Sequence, residues 1–218
     1  MTVHSLPSPG EAGDAARRTV QGRCRLLGLL AVCAAPVIAS YFTYYVVRPE
    51  GRRSYGELIE PQRPLPPLAA TALDGRALSL AALRGQWLLI SVAPGSCDNA
   101  CEKHLYLQRQ LRETLGKEKE RLDWVWLVPD ESPVRRALLP ALVQATVMRV
   151  PGEQLAGWLE PAPGRGVHEH LYLVDPMGNL MMRFPAALDS SSASRAKRDL
   201  DRLMRASAGW DQPGRERP

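Results

Sequence analysis

With 218 residues, 23% of them charged and 6% aromatic, the chain has room for one folded domain plus attachments, and its composition is that of neither a disordered segment nor a coiled coil. The net charge of +5 is spread along the chain without aromatic interleaving or a basic stripe, which argues against nucleic acid as a partner. Glycine is scattered and forms no phosphate-binding loop, which argues against a nucleotide.

From Leu26 to Val47 no residue is charged, a run long enough to cross a bilayer as one helix. Tyr41, Phe42, Tyr44 and Tyr45 cluster at its end like an interfacial aromatic belt, and Cys24 and Cys33 read as packing residues. The apolar stretch outruns a signal-peptide core, so residues 23–48 are expected to form an uncleaved anchor. Arginines nearly balance on its two sides and give no orientation. Residues 1–22, too short to fold, are therefore assigned to the cytoplasm because the domain that follows bears a dithiol suited to an oxidising space. The expectation is a single-pass protein of a bacterial inner membrane with a periplasmic C-terminal domain.

Residues 49–67, rich in proline and charge, read as an extended spacer. Asp74 and Gly75 mark a turn within a hairpin over Leu73 to Leu80, and Trp87 to Val92 is an unbroken apolar strand that should be buried on both faces. The leucines of Glu102 to Leu115 predict a helix ending near Gly116, and Leu122 to Val128 the next strand. Ser132 and Pro133 resemble a helix start with Pro140 as its end, followed by a strand at Thr146 to Arg149 and a short helix at Glu153 to Leu159. His170 to Val174 and Leu180 to Phe184 flank a turn, and Ser192 to Ala206 is an amphipathic basic helix read as a solvated closing face.

Cys97 and Cys101 fall where the first long strand passes to a helix. A cysteine there meets unpaired amides and the positive end of the helix dipole, which favour thiolate, the form that attacks disulfides and binds soft metals. In one helical turn their Cα atoms would lie about 6 Å apart, close enough for a disulfide or a shared metal ion. Asp98 and Glu102 oppose the thiolate and Lys103 favours it. The alternative for the pair is a purely structural disulfide or two buried thiols. The element order, with this cysteine position, describes an α/β thioredoxin-like fold over residues 68–206 with an N-terminal β-hairpin extension, leaving 207–218 as a flexible tail.

The residues Asp74-Gly75-Arg76, Leu83-Arg84-Gly85-Gln86-Trp87, the Cys97 and Cys101 pair, Val128-Pro129-Asp130-Glu131 and Tyr172-Leu173-Val174-Asp175-Pro176 resemble the Sco/SenC family. That resemblance implies a membrane-anchored assembly factor that delivers copper, or reducing equivalents, to the dinuclear copper site of cytochrome c oxidase. It implies a metallochaperone rather than an enzyme, with Cys97 and Cys101 as copper(I) ligands. Proline, usual in the family after each cysteine, is replaced here by Asp98 and Glu102. The family's histidine position, five residues before the hairpin tyrosine, holds Val167, so His168 and His170 are the candidates for the extra ligand. His104, three residues after Cys101 on the same helical stripe, is a local alternative. Each histidine has a bland reading as a surface or hydrogen-bonded residue. Two other functions stay open: thiol–disulfide exchange that keeps oxidase cysteines reduced, with Cys97 attacking and Cys101 resolving, and a non-catalytic role in recognising the assembling oxidase.

Overall fold

The computed structural model describes residues 9–47, 54–185, 189–211 and 213–214. It divides into two units, one ending at Arg52 and one beginning at Arg53. The first is a helix, α1 (Pro9–Phe42), with Pro36 inside it, continued by a π-helical turn at Thr43–Val47. Its segment Gln21–Val46 has a mean hydropathy of 2.0 over 26 residues, a length and composition common to membrane spans and signal helices. The expected 1–22 tail is helical from Pro9 onward, because an established helix propagates cheaply into flanking Glu, Ala and Arg. Cys24 and Cys33 are exposed free thiols. Residues 1–8 of that tail, 48 at the end of the anchor, 49–53 at the start of the spacer, and 212 and 215–218 of the C-terminal tail lie outside the described residues.

The second unit runs β1 (Glu57–Pro64), β2 (Ala69–Ala72), β3 (Ala77–Ser79), β4 (Trp87–Val92), α2 (Asn99–Glu113), β5 (Leu122–Val128), β6 (Thr146–Arg149), α3 (Gly152–Trp158), β7 (Leu171–Val174), β8 (Asn179–Phe184) and α4 (Ser190–Ser207). The strands form one sheet in the order β1-β8-β7-β4-β5-β6-β2-β3. The β4, β5 and β6 neighbours are parallel and the rest antiparallel.

Alternation along the strands explains why β4 is apolar at nearly every position. Leu88, Ile90 and Val92 face one side with Val125, Leu127 and Tyr172, where Leu155 and Trp158 of α3 cover them. Trp87 and Leu89 face the other with Leu173 and Phe184, beneath Leu111 of α2 and Leu200 of α4. The one polar residue of β4, Ser91, is matched by the wholly buried Gln108 of α2. Its amide donates to the carbonyls of Leu89 and Val125 while its oxygen accepts from the Ser91 hydroxyl. The β7–β8 turn is closed by Asp175, whose carboxylate accepts from the Asn179 amide, with Gly178 at φ 90° supplying the left-handed step.

Three expectations are corrected. Part of the 49–67 spacer is strand β1, paired with β8 and burying Ile59. Prolines at 61 and 64 are tolerated because β1 is an edge strand whose register shifts between Leu58 and Arg63. No α-helix begins at Ser132: its amide and hydroxyl both bond to Asp130, so it cannot cap one, and the chain forms a 3-10 helix at Arg136–Leu142 with Pro140 inside. The 207–218 tail is anchored at Asp211, which is buried and accepts from the Arg121 guanidinium at 2.7 Å and from the Trp87 indole at 2.8 Å.

Replacing Asp211 by Ala leaves the Trp87 indole N–H without its acceptor and the buried Arg121 guanidinium with Glu118, Ser207 and Met204 alone, so the full-length protein is expected to lose about 1–3 kcal/mol. Replacing Asp74, whose pair with Arg76 is exposed, is expected to change stability much less. Urea unfolding followed by tryptophan fluorescence checks both, and equal losses would contradict the anchoring role.

Candidate functional site

The cysteines sit between β4 and α2 on a loop that is pinned on both sides. Ala93 donates its amide to the Leu127 carbonyl, and its own carbonyl accepts from the buried Trp126 indole. The Gly95 amide donates to Asp130 Oδ1 at 3.0 Å. A Cβ at Gly95 would overlap the Ser132 carbonyl, so only glycine lets these two loops touch. Hydrogen bonds from the Gly95 amide and then from Ser132 hold the Asp130 carboxyl below its ordinary range, against a smaller opposing effect of burial.

At Cys97 the backbone is left-handed, with φ 38°. Asp98 is extended and caps α2, its Oδ1 accepting the Cys101 amide at 2.9 Å. Cys97 and Cys101 are joined as a disulfide with Cα atoms 5.2 Å apart. Cys97 thus precedes the cap and only Cys101 lies in the first turn. The terminal amide that would favour a thiolate at Cys101 is already held by a carboxylate. Glu102, the second acidic neighbour, is paired with Arg135.

The two sulfur-bearing residues differ in environment. Cys97 is 1% exposed and packs with Ala93, Leu105, Trp124 and Trp126. Cys101 is half-buried and lines a cleft of about 980 Å³ together with Lys103, His104, Leu107, Val167, His168 and Glu169. Val92, Ala93, Pro94 and Pro129 are among the apolar residues that line this cleft.

The three candidate histidines separate. His170 is buried, its Nδ1 lying 2.9 Å from the Phe184 carbonyl and its Nε2 accepting from the Ala162 amide at 3.2 Å. A carbonyl can only accept, so the proton sits on Nδ1 and neither nitrogen has a lone pair left for a metal. His168 is exposed and lines the cleft beside Cys101, its ring lying against Gly166, where any Cβ would collide with it. His104 also lines the cleft, and burial, followed by the neighbouring His170 and His168, pushes its imidazole down to about 4, leaving it neutral at pH 7. Among the described residues no group of three or more His, Cys, Asp or Glu comes together as a metal site. The residues not singled out from the sequence as part of the site are Gly95 and Ser132, which with Asp130 brace the cysteine loop. The Asp-x-Ser turn was their only signal.

Residues 87–207 match the family described as transmembrane-like, thioredoxin-like, C-terminal domain. Among solved structures, copper-bound yeast Sco1 is similar at 15% identity and TM-score 0.51, covering 67% of this chain and 90% of that one. BsSco, described as a member of the Sco family of cytochrome c oxidase assembly proteins with a disulfide switch, is similar at 14% identity and TM-score 0.50, covering 69% and 96%. A candidate protein disulfide isomerase from Bacteroides thetaiotaomicron is similar at 15% identity and TM-score 0.51, covering 72% and 97%. No curated protein matches the chain. The shared feature is the thioredoxin-like fold.

The lowered Asp130 carboxyl has a consequence for stability. Its folded value lies below the unfolded one, so it contributes stability above the unfolded value that disappears as pH falls through the folded value. The advantage of the full-length wild type over Asp130→Asn is therefore expected at pH 7 and expected to vanish in the acid range below ordinary carboxylates. Melting temperatures from pH 7 to pH 2.5 check this, and a gap that stays constant with pH would contradict it.

Proposed function

The chain belongs to the family of transmembrane-like, thioredoxin-like C-terminal domains, and we propose that it is a membrane-anchored assembly factor for the copper site of cytochrome c oxidase, working through Cys97 and Cys101. The observation behind this reading is that Cys101, His104 and His168 line one cleft. Once reduced, the pair offers two soft thiolate donors, the ligands that copper(I) prefers, and a neutral imidazole is an acceptable third. Copper(I) is cargo in this reading, and the protein is a metallochaperone. His104 and His168 are the histidines available to hold it, whereas His170 is committed to its hydrogen bonds.

Two further considerations support the oxidase as the partner. Of the residues of the Sco/SenC resemblance, Cys101 and Pro129 line the cleft, and the fold is shared with copper-bound yeast Sco1 and with BsSco, an oxidase assembly protein. The apolar segment Gln21–Val46 would hold the domain at the bacterial inner membrane, and a periplasmic location suits a pair that closes as a disulfide. A second reading, thiol–disulfide exchange with oxidase cysteines, is favoured by one observation: with the disulfide closed, no third donor is assembled around it among the described residues.

The test is anaerobic copper(I) titration of the reduced full-length chain in detergent micelles against a chromophoric chelator. One-to-one binding is expected, abolished in Cys97→Ser and Cys101→Ser and weakened about tenfold or more in His104→Ala or His168→Ala, the loss of one ligand contact being worth more than 1.4 kcal/mol. Failure of the reduced protein to compete for copper(I) would remove the chaperone reading and leave exchange.

A further inference from the structure

The two cysteines are not equivalent, and their inequality sets the direction of any exchange reaction. In chain order Cys97 comes first and lies nearer the strand, where an attacking sulfur would be expected. The packing is the reverse. Cys97 is 1% exposed, its residue turned left-handed at φ 38° and enclosed with Trp124, Trp126, Leu105 and Leu142. It is not among the residues that line the cleft, whereas Cys101 is. The loop that carries Cys97 is braced two residues earlier by the Gly95–Asp130 bond and the touching Ser132 carbonyl, which hold it in the arrangement that encloses Cys97.

We propose that Cys101 is the sulfur through which partners exchange, and that Cys97 is the buried leaving and resolving thiol. The inference deepens the dithiol reading above and rests on it. A partner protein presenting a dithiol on an extended segment lays that segment in the cleft that Cys101 lines, where Val92, Ala93, Pro94 and Pro129 supply apolar contacts. Its thiolate attacks Cys101 Sγ, a bond forms between the partner sulfur and Cys101, and the Cys97–Cys101 bond breaks. Cys97 leaves as thiolate and takes up the proton that the partner thiol lost. The partner's second thiol then loses its proton, attacks the partner sulfur of the mixed disulfide and releases Cys101, which is protonated in turn. Two electrons have passed from the partner dithiol to the domain, and the partner has become a disulfide. Run backwards, the same steps let Cys101 reduce a partner disulfide with Cys97 resolving.

The experiment uses the full-length protein in detergent micelles. After reduction it is treated with limiting iodoacetamide, and labelling at each cysteine is read by peptide mass spectrometry. This needs no substitution and so carries no risk of unfolding. Cys101 is expected to label at least tenfold faster than Cys97. In parallel, Cys97→Ser is expected to form a mixed disulfide with glutathione disulfide at least tenfold faster than Cys101→Ser. Equal rates, or faster reaction at Cys97, overturn the inference. Neither readout involves copper or the oxidase. Cys101-first labelling in a protein that binds no copper(I) supports this inference while removing the copper reading, and Cys97-first labelling in a protein that binds copper(I) overturns this inference alone.

Discussion

Gln108 is the contact on which the placement of the dithiol depends. Its side chain is fully buried between α2 and the sheet, donating to two strand carbonyls and accepting from Ser91 at 2.9 Å. A buried amide in an otherwise apolar interface is stable only when its hydrogen bonds are made, and these bonds can be made at one position and rotation of α2. Apolar contacts alone, such as Leu111 against Trp87 and Leu89, would tolerate a slide of the helix along the strands. Fixing α2 fixes Asp98 and Cys101 at its first turn, and through the disulfide it fixes Cys97.

The loop side of the site is held by a second polar device. Asp130 follows β5 and reaches back to the Gly95 amide, so the ends of two adjacent parallel strands are joined beyond their own ladder. The Trp126 indole, bonded to the Ala93 carbonyl, closes the same junction from below. Arg149, at the end of β6, donates to the Asp130 carbonyl and brings a third strand end into the set. The rim of the cleft is therefore built on rigid strand termini, the arrangement that keeps a small site within the tolerance its chemistry needs.

Much of this was legible in the sequence, and the rest was not for identifiable reasons. Strands β4 and β5 announced themselves because burial on both faces leaves a continuous apolar run, and the β7–β8 hairpin because Asp175 and Gly178 are turn residues with a mechanism. Strand β1 was hidden by its prolines, which propensity counts against any strand but which an edge position with a register shift accommodates. Ser132 looked like a helix cap because its competing bond to Asp130 depends on local geometry that spacing does not reveal. The three histidines were indistinguishable by spacing. What separates them is which carbonyl or amide lies opposite each ring, and His170 meets Phe184 and Ala162 only because β8 and the preceding loop close over it.

The electrostatics of the first turn of α2 bear on which states the dithiol prefers. In a helix whose terminal amides are free, a thiolate there is stabilised and a disulfide is easily reduced. Here the Asp98 carboxylate occupies the Cys101 amide, adding a negative charge where a bare thiolate would place another. That arrangement disfavours free thiolate at Cys101 relative to any state in which the sulfur carries no net negative charge or shares it with a cation. A disulfide, a protonated thiol and a cation-bound dithiolate are such states. The same capping residue thus biases the site against the exposed, unpartnered thiolate and leaves the closed pair and the loaded pair, the two forms that the functional readings require, without that penalty. The depth of Cys97 acts in the same sense, because a buried sulfur is costly as an anion unless it is bonded to its neighbour or to a metal.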